Sequence, residues 1–240
     1  MPHEREPQVR PVWLVALEHV SIAAAAVLLV LEAAAVARAV EPGDLGLLAA
    51  AFLAALLLAD LVSGTVHWIG DTFFETTTPI LGPAFVANFR EHHRDPQAIV
   101  RHGFAERNGG NALAIVLPLL LARMATPPEA GHTALAAHAF LLFLTIGSCA
   151  TNQIHMWAHT KRVPRFVRSL QRARLILSPE HHDGHHRGDF RRCYCVTTGW
   201  LNPALDAMAF WERSERWLRE RWPKDGARLP AKEARRAQGG

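Results

Sequence analysis

Apolar and polar residues along this chain are segregated into blocks. The first apolar block runs from Val12 to about Ala37, broken by Glu18, His19 and Glu32, with an uninterrupted centre from Val20 to Leu31. That centre is short for a spanning helix, which needs about 20 apolar residues, and its alanine content equally fits a buried helix. Glu41-Pro42-Gly43-Asp44 predicts a tight turn. A second block, Leu45 to Ala59, leads into Asp60-Leu-Val-Ser-Gly-Thr-Val-His67-Trp68, so the two blocks predict a helical hairpin. From Gly70 to Gly110 the chain is polar, punctuated by Pro79, Pro83 and Pro96. The third block, Asn111 to Ala122, reaches spanning length only with its polar ends, and Pro118 within it predicts a kink or an irregular helix. The fourth, Thr133 to Thr160, carries no formal charge and is the clearest spanning helix. Beyond Lys161 the chain is polar and basic. Trp211 to Trp222 sets aromatic residues among alternating charges, a pattern shared by interfacial helices and by solvated helices packed through their tryptophans.

The pattern predicts an all-α integral membrane protein with about four transmembrane helices. Its expected division is an N-terminal segment 1–11, a membrane domain 12–222 and a disordered basic tail 223–240. Lys and Arg concentrate in the N-terminal segment, the loop between the second and third blocks, and the C-terminal region, so both termini are expected on the cytoplasmic side of a bacterial inner membrane. The net charge of +4 sits beside apolar blocks, which suits an anionic membrane surface and gives no reason to expect nucleic acid. Cys149, Cys193 and Cys195 form no CxxC pair, so a zinc ribbon or thioredoxin motif is unsupported, and Cys193 is read as a partly buried thiol.

The candidate chemistry lies in the histidines. Pro179 to His186 packs four imidazoles into six residues, and a helical segment would place His182 beside His185 and His186 on one face. Six more cluster as His67, the adjacent His92 and His93, His102, and the pair His155 and His159. His19 and His138, on apolar helices, are read as satisfied core histidines. By the topology above, all four clusters fall on or near one cytoplasmic face. Eight or more imidazoles exceed the donors that one ion takes and imply two metals, the fold then being a helical bundle with a cytoplasmic, histidine-rich di-metal cap. Imidazole-rich sites with open positions suit iron that activates O2. Asp60 and Asp71, spaced helically about His67, and Glu91, Glu180 and Asp183, which flank histidines, could accept imidazole N–H groups and fix the rings, or be ordinary surface acids. A membrane metal transporter would place ligands at mid-membrane instead. A zinc hydrolase would need fewer histidines, and HExxH is absent.

The strings Asp60 to Trp68, Phe89-Arg-Glu-His-His93, Arg101-His-Gly-Phe104, Thr151-Asn-Gln-Ile-His-Met-Trp-Ala-His159, His181 to His186 and Val196-Thr-Thr-Gly-Trp-Leu-Asn202 resemble those of the plasmanylethanolamine desaturases, in the right order over about residues 55 to 212. The wider family includes a plant desaturase that puts a trans double bond into the palmitoyl chain of phosphatidylglycerol. The resemblance implies eight iron ligands, His67, His92, His93, His155, His159, His182, His185 and His186. His102 and His181 fall to supporting roles, beside Asp60 and Asp71 in the surrounding shell. It also implies two iron ions, O2 as co-substrate, and electrons from an external carrier, a cytochrome b5-like protein or a ferredoxin. The implied reaction turns the 1-O-alkyl chain of a membrane phospholipid into a vinyl ether; an acyl-lipid desaturase or hydroxylase is the nearest alternative. Arg90, Arg94 and Arg101 are candidate phosphate contacts, which the positive-inside rule would equally explain.

Overall fold

The computed structural model describes residues 10–187 and 190–221, and among these all regular structure is helical. The expected N-terminal segment is described only at residues 10 and 11, and the expected tail lies outside the described residues. Helix α1 (Val12–Ala39) and helix α2 (Leu45–Thr72) are joined by the expected turn, a single 3-10 turn at Pro42–Asp44. Asp44 closes it by accepting the Glu41 N–H at 2.9 Å, and its other oxygen lies 3.0 Å from His132 Nδ1. A short α3 (Ala87–Arg94) and α4 (Ala98–Arg101) precede α5 (Phe104–Met124) and α6 (His132–His159). Four further short helices follow among the described residues: α7 (Arg165–Arg172), α8 (Pro179–His186), α9 (Asn202–Ala207) and α10 (Phe210–Arg221).

Helix α6 packs on α1, α2 and α5, and α1 packs along α5. Ala25 and Leu28 of α1 meet Ala112, Ile115 and Leu119 of α5 in one cluster; Val36, Ala51, Leu135, Ala139 and Leu142 form another between α1, α2 and α6. Valine and leucine also cover the outer surface: Val20, Val27, Val30 and Leu117 are all more than half exposed. A bundle in water would turn such side chains inward, whereas helices apolar on every side belong in lipid. Among the described residues three helices are long and apolar enough to cross a membrane, Val12–Ala39, Pro42–Thr72 and His132–His159. At 28 residues, α1 and α6 each extend about 42 Å, beyond the roughly 30 Å hydrocarbon layer. The fourth, α5, is continuous through Pro118, but its first two turns carry Glu106, Arg107, Asn108 and Asn111.

Two side-chain expectations divide. His138 is buried and satisfied, 2.5 Å from Glu32 Oε1 and 2.9 Å from the Thr126 carbonyl oxygen. His19 is exposed, one ring nitrogen lying 2.8 Å from the Val15 carbonyl oxygen, so it is not a core histidine. In helix α10, Trp211 is buried against Trp68 and Tyr194, as the packed reading expects, while Trp217 is half exposed with Arg221 over its ring.

Candidate metal centre

The last three turns of α2 set the local design. Asp60, Ser63, Gly64, His67 and Asp71 recur at helical spacing, share one face and are all buried. Onto that face folds the segment from Arg192 to Asn202. Asp60 Oδ1 accepts N–H bonds from Thr198 and Gly199 at 2.8 and 2.9 Å, and Oδ2 accepts one from Leu201 at 3.2 Å. Ser63 Oγ accepts the Val196 N–H at 3.0 Å. A Cβ on Gly64 would stand 2.6 Å from Cys195 Sγ, so only glycine admits the segment at this depth. Gly199, at φ +76°, lets the chain turn back beneath α8. The segment in turn presents carbonyls to two histidines: Tyr194 O lies 3.1 Å from His67 Nδ1, and Arg192 O lies 2.7 Å from His185 Nδ1. Each ring donates Nδ1–H to its carbonyl, which leaves the Nε2 lone pair for the interior.

Eight histidines and one carboxylate converge there in two adjoining groups. The first holds His92, His155, His159, His182 and His186; the second holds His67, Asp71, His93 and His185, and within each the candidate ligand atoms lie within 4.8 Å of one another. In the first, His155 Nε2 and His182 Nε2 are 2.8 Å apart, and His186 Nε2 is 3.1 Å from both His92 Nε2 and His182 Nε2. In the second, His93 Nε2 and His185 Nε2 are 3.1 Å apart, and Asp71 Oδ2 lies 3.4, 3.5 and 3.6 Å from the Nε2 atoms of His93, His67 and His185. Ligands about 2.1 Å from a metal and at right angles to each other stand about 3 Å apart, the spacing of these nitrogens. His67 Nε2 and His159 Nε2 are buried with no hydrogen-bond partner among the described residues. An unmatched buried acceptor is costly, so converging lone pairs of this kind fit a cation.

The electrostatics agree. Burial pushes His92, His182 and His185 well below the ordinary imidazole range and His186 down to about 4, which keeps these rings neutral, the form that binds metal. All four ligand-bearing helices also end at the site. Asp71, His92, His93, His159, His185 and His186 lie in the last turns of their helices and His67, His155 and His182 one turn earlier, so four negative helix-dipole ends lie beside the site. Helix α8 starts at Pro179 behind Ser178, whose Oγ accepts the His181 N–H at 3.3 Å.

All eight histidines that the resemblance singled out are thus brought together. The acids are distributed otherwise than expected. Asp71, foreseen in the surrounding shell, lies inside the second group, signalled by its place four residues after His67. Asp60 holds a backbone segment and no imidazole. Glu91 lies 3.4 Å from His102, outside both groups, and Asp183 pairs with Arg187 at the surface. His181 accepts a bond from Asn202 Nδ2 at 2.9 Å. Arg90 is buried and donates to the Phe74 carbonyl, and Arg101 pairs with Asp95. The orienting carbonyls of Arg192 and Tyr194 went unforeseen, because a backbone oxygen leaves no mark in a sequence. Cys193 is half buried, its thiol pushed up to about 12 by burial and the adjoining Asp206.

A cavity of about 410 Å³ opens onto the site. His67, His92 and His155 line one part of it, and the partly exposed Leu17, Val66 and Leu113 line another.

The model of the lipid desaturase domain matches residues 56–225. A plasmanylethanolamine desaturase of Myxococcus xanthus is 43% identical over 172 residues, covering 72% of this chain and 60% of the relative. Plasmanylethanolamine desaturase 1 of Mus musculus is 44% identical over 169 residues, covering 68% and 62%. The chloroplastic fatty acid desaturase 4 of Arabidopsis thaliana is 33% identical over 164 residues, covering 68% and 49%. The chain therefore spans about three fifths of the length of the first two. No solved structure matches. Since the matched stretch takes in every residue of the two groups and the segment that orients their rings, the chain belongs to the lipid desaturase domain family.

Proposed function

We propose that this protein is a plasmanylethanolamine desaturase, introducing the vinyl-ether double bond into the 1-O-alkyl chain of an ether phospholipid. The observation that carries this reading is the pair of imidazole groups set beside a cavity with an apolar rim. One iron would be held by His92, His155, His159, His182 and His186, the other by His67, Asp71, His93 and His185. When bound, the iron pair supplies O2 reduction: two hydrogens leave adjacent carbons, two electrons and two protons enter, and O2 departs as two waters.

The chain's own residues do the rest. Leu17, Val66 and Leu113 offer an alkyl chain an apolar path from the lipid side, and Phe85 and Phe89 line the cavity near His67 and His92. Positioning decides which hydrogens are lost, so a rigid wall beside the ligands matters more than affinity. The carbonyls of Arg192 and Tyr194 hold the tautomers of His185 and His67. Burial of the ligands keeps bulk water from the reacting carbons. The histidine cap faces the cytoplasm of a bacterial cell, with the spans in its inner membrane, and electrons come from a cytochrome b5-like protein or a ferredoxin.

Expression in a host that makes alkyl ether lipids but no plasmalogens tests the reading, with acid-labile vinyl ether as the product assayed. The wild-type protein yields it, and His186→Ala abolishes it. Double bonds in acyl chains without vinyl ether would overturn the substrate assignment; full activity of the variant would overturn the ligand assignment.

A further inference from the structure

Glu18 is a carboxylate in the apolar α1, outside the residues matched by the lipid desaturase domain, yet it lines the same cavity as His67, His92 and His155. It is 7% exposed. Its Oε1 pairs with Arg10, which also reaches Glu106 Oε1 at 3.3 Å, while its Oε2 has no hydrogen-bond partner among the described residues. The position is built by α5: a Cβ on Gly109 would stand 2.5 Å from Glu18 Cβ and Cγ, so the glycine is what admits this side chain between the helices. A buried charged acceptor left unmatched is expensive, and one kept in an apolar helix marks a ligand contact by default.

Arg107 lines the cavity too. Its guanidinium donates to the carbonyls of Ile99 and His102 at 3.2 and 2.8 Å and to Gln153 at 3.2 Å, whereas Nε has no hydrogen-bond partner among the described residues. Glu106 lines the cavity as well, but its oxygens are taken by Arg10 and by the Gly103 N–H at 3.4 Å, so the chamber offers one unmatched anionic acceptor and one cationic donor. Arg10, Glu18, Glu106 and Arg107 balance in charge, so a net-neutral zwitterion suits them better than an anionic headgroup.

Building on the desaturase reading, we infer that this polar wall holds the lipid headgroup, with Glu18 taking the primary ammonium of an ethanolamine phospholipid and Arg107 its phosphate. Only a handful of bonds separate an ether-linked carbon from its phosphate, so the reacting carbons and the headgroup must share one chamber, as the ligand histidines and Glu18 do. A primary ammonium brings the N–H that Oε2 lacks, and a quaternary choline does not. Glu18 thereby becomes a specificity-determining residue.

Competition among 1-O-alkyl-2-acyl phospholipids bearing ethanolamine, choline or glycerol headgroups, read by native mass spectrometry on the iron-loaded protein, tests this. The wild type favours ethanolamine by about tenfold or more, the scale of one charged hydrogen bond. Glu18→Gln brings the three toward parity at unchanged iron content, and Glu18→Asp keeps part of the preference. Arg10→Gln keeps or strengthens it, because it frees the second Glu18 oxygen. A wild type without preference overturns the proposal, as does a preference that survives Glu18→Gln. Equal loss in Glu18→Gln and Arg10→Gln also overturns it, showing a merely structural ion pair. Should Glu18→Gln not fold, the wild-type preference and the Arg10→Gln response decide. Vinyl ether formed equally from all three lipids would sink this inference and leave the desaturase reading standing; headgroup-selective binding without vinyl ether would do the reverse.

Discussion

Asp71 separates a ligand from a neighbour of ligands. Its Oδ2 lies no farther than 3.6 Å from three ring nitrogens, in a group that otherwise holds three histidines against five in the other. A metal there needs the carboxylate both as a fourth donor and as the one negative charge in the set. On the di-iron reading proposed above, Asp71→Asn should therefore lower iron from two per chain toward one even at saturating iron, measured by elemental analysis of the purified protein. Removing a group that merely orients a ligand weakens metal affinity about 10–100-fold, which excess iron restores. Full recovery of two irons on titration would return Asp71 to the surrounding shell.

At the scale of elements, the face of α2 that carries His67 also holds the segment that orients His67. Gly64→Val would drive a branched side chain into Cys195, and overpacking of this kind costs about 1–3 kcal/mol. Asp60→Ala would strip the acceptor from two buried N–H groups and a part-buried third, at about 1–3 kcal/mol for each buried one left unmatched. Both variants should lower the unfolding temperature and the iron content together, since the Tyr194 and Arg192 carbonyls shift with the segment; a fall in stability at full iron loading would show the segment to be a scaffold alone. The four apolar blocks and the histidine strings were legible because hydrophobic runs and clustered imidazoles are local signals. The polar start of α5 was not, because Asn108, Gly109 and Gly110 are poor helix formers, and packing against α1 and α6 overrides their local preference. Nor was the sorting of rings into five and three. His93 meets His185 across 92 positions of sequence and His92 meets His186 across 94, pairings that only the tertiary fold decides.

The whole molecule divides by what holds each end together. At the far end of the bundle, Val36, Ala51, Leu135 and Leu142 pack apolar surface, and a buried contact of 2.5 Å between Glu32 Oε1 and His138 Nδ1 ties α1 to α6. The cap has its own small core, in which Trp68, Phe73, Tyr194 and Trp211 pack together, but its short α3 and α8 meet the bundle chiefly through histidines. Isolated helices of eight residues are unstable, so these two depend on tertiary contacts and, in the loaded protein, on metal. Chelation of iron should therefore raise hydrogen exchange across Ala87–Arg94 and Pro179–His186 while the paired stretches of α1 and α5 stay protected. The comparison is made by mass spectrometry before and after removal, with iron restored as the control. Unchanged exchange in α3 and α8 would mean that the cap is assembled without metal, its rings held together by the segment from Arg192 to Asn202. Loss of protection along α1 as well would mean that metal binding supports the bundle itself, and the division between a self-sufficient membrane frame and a metal-dependent cap would fall.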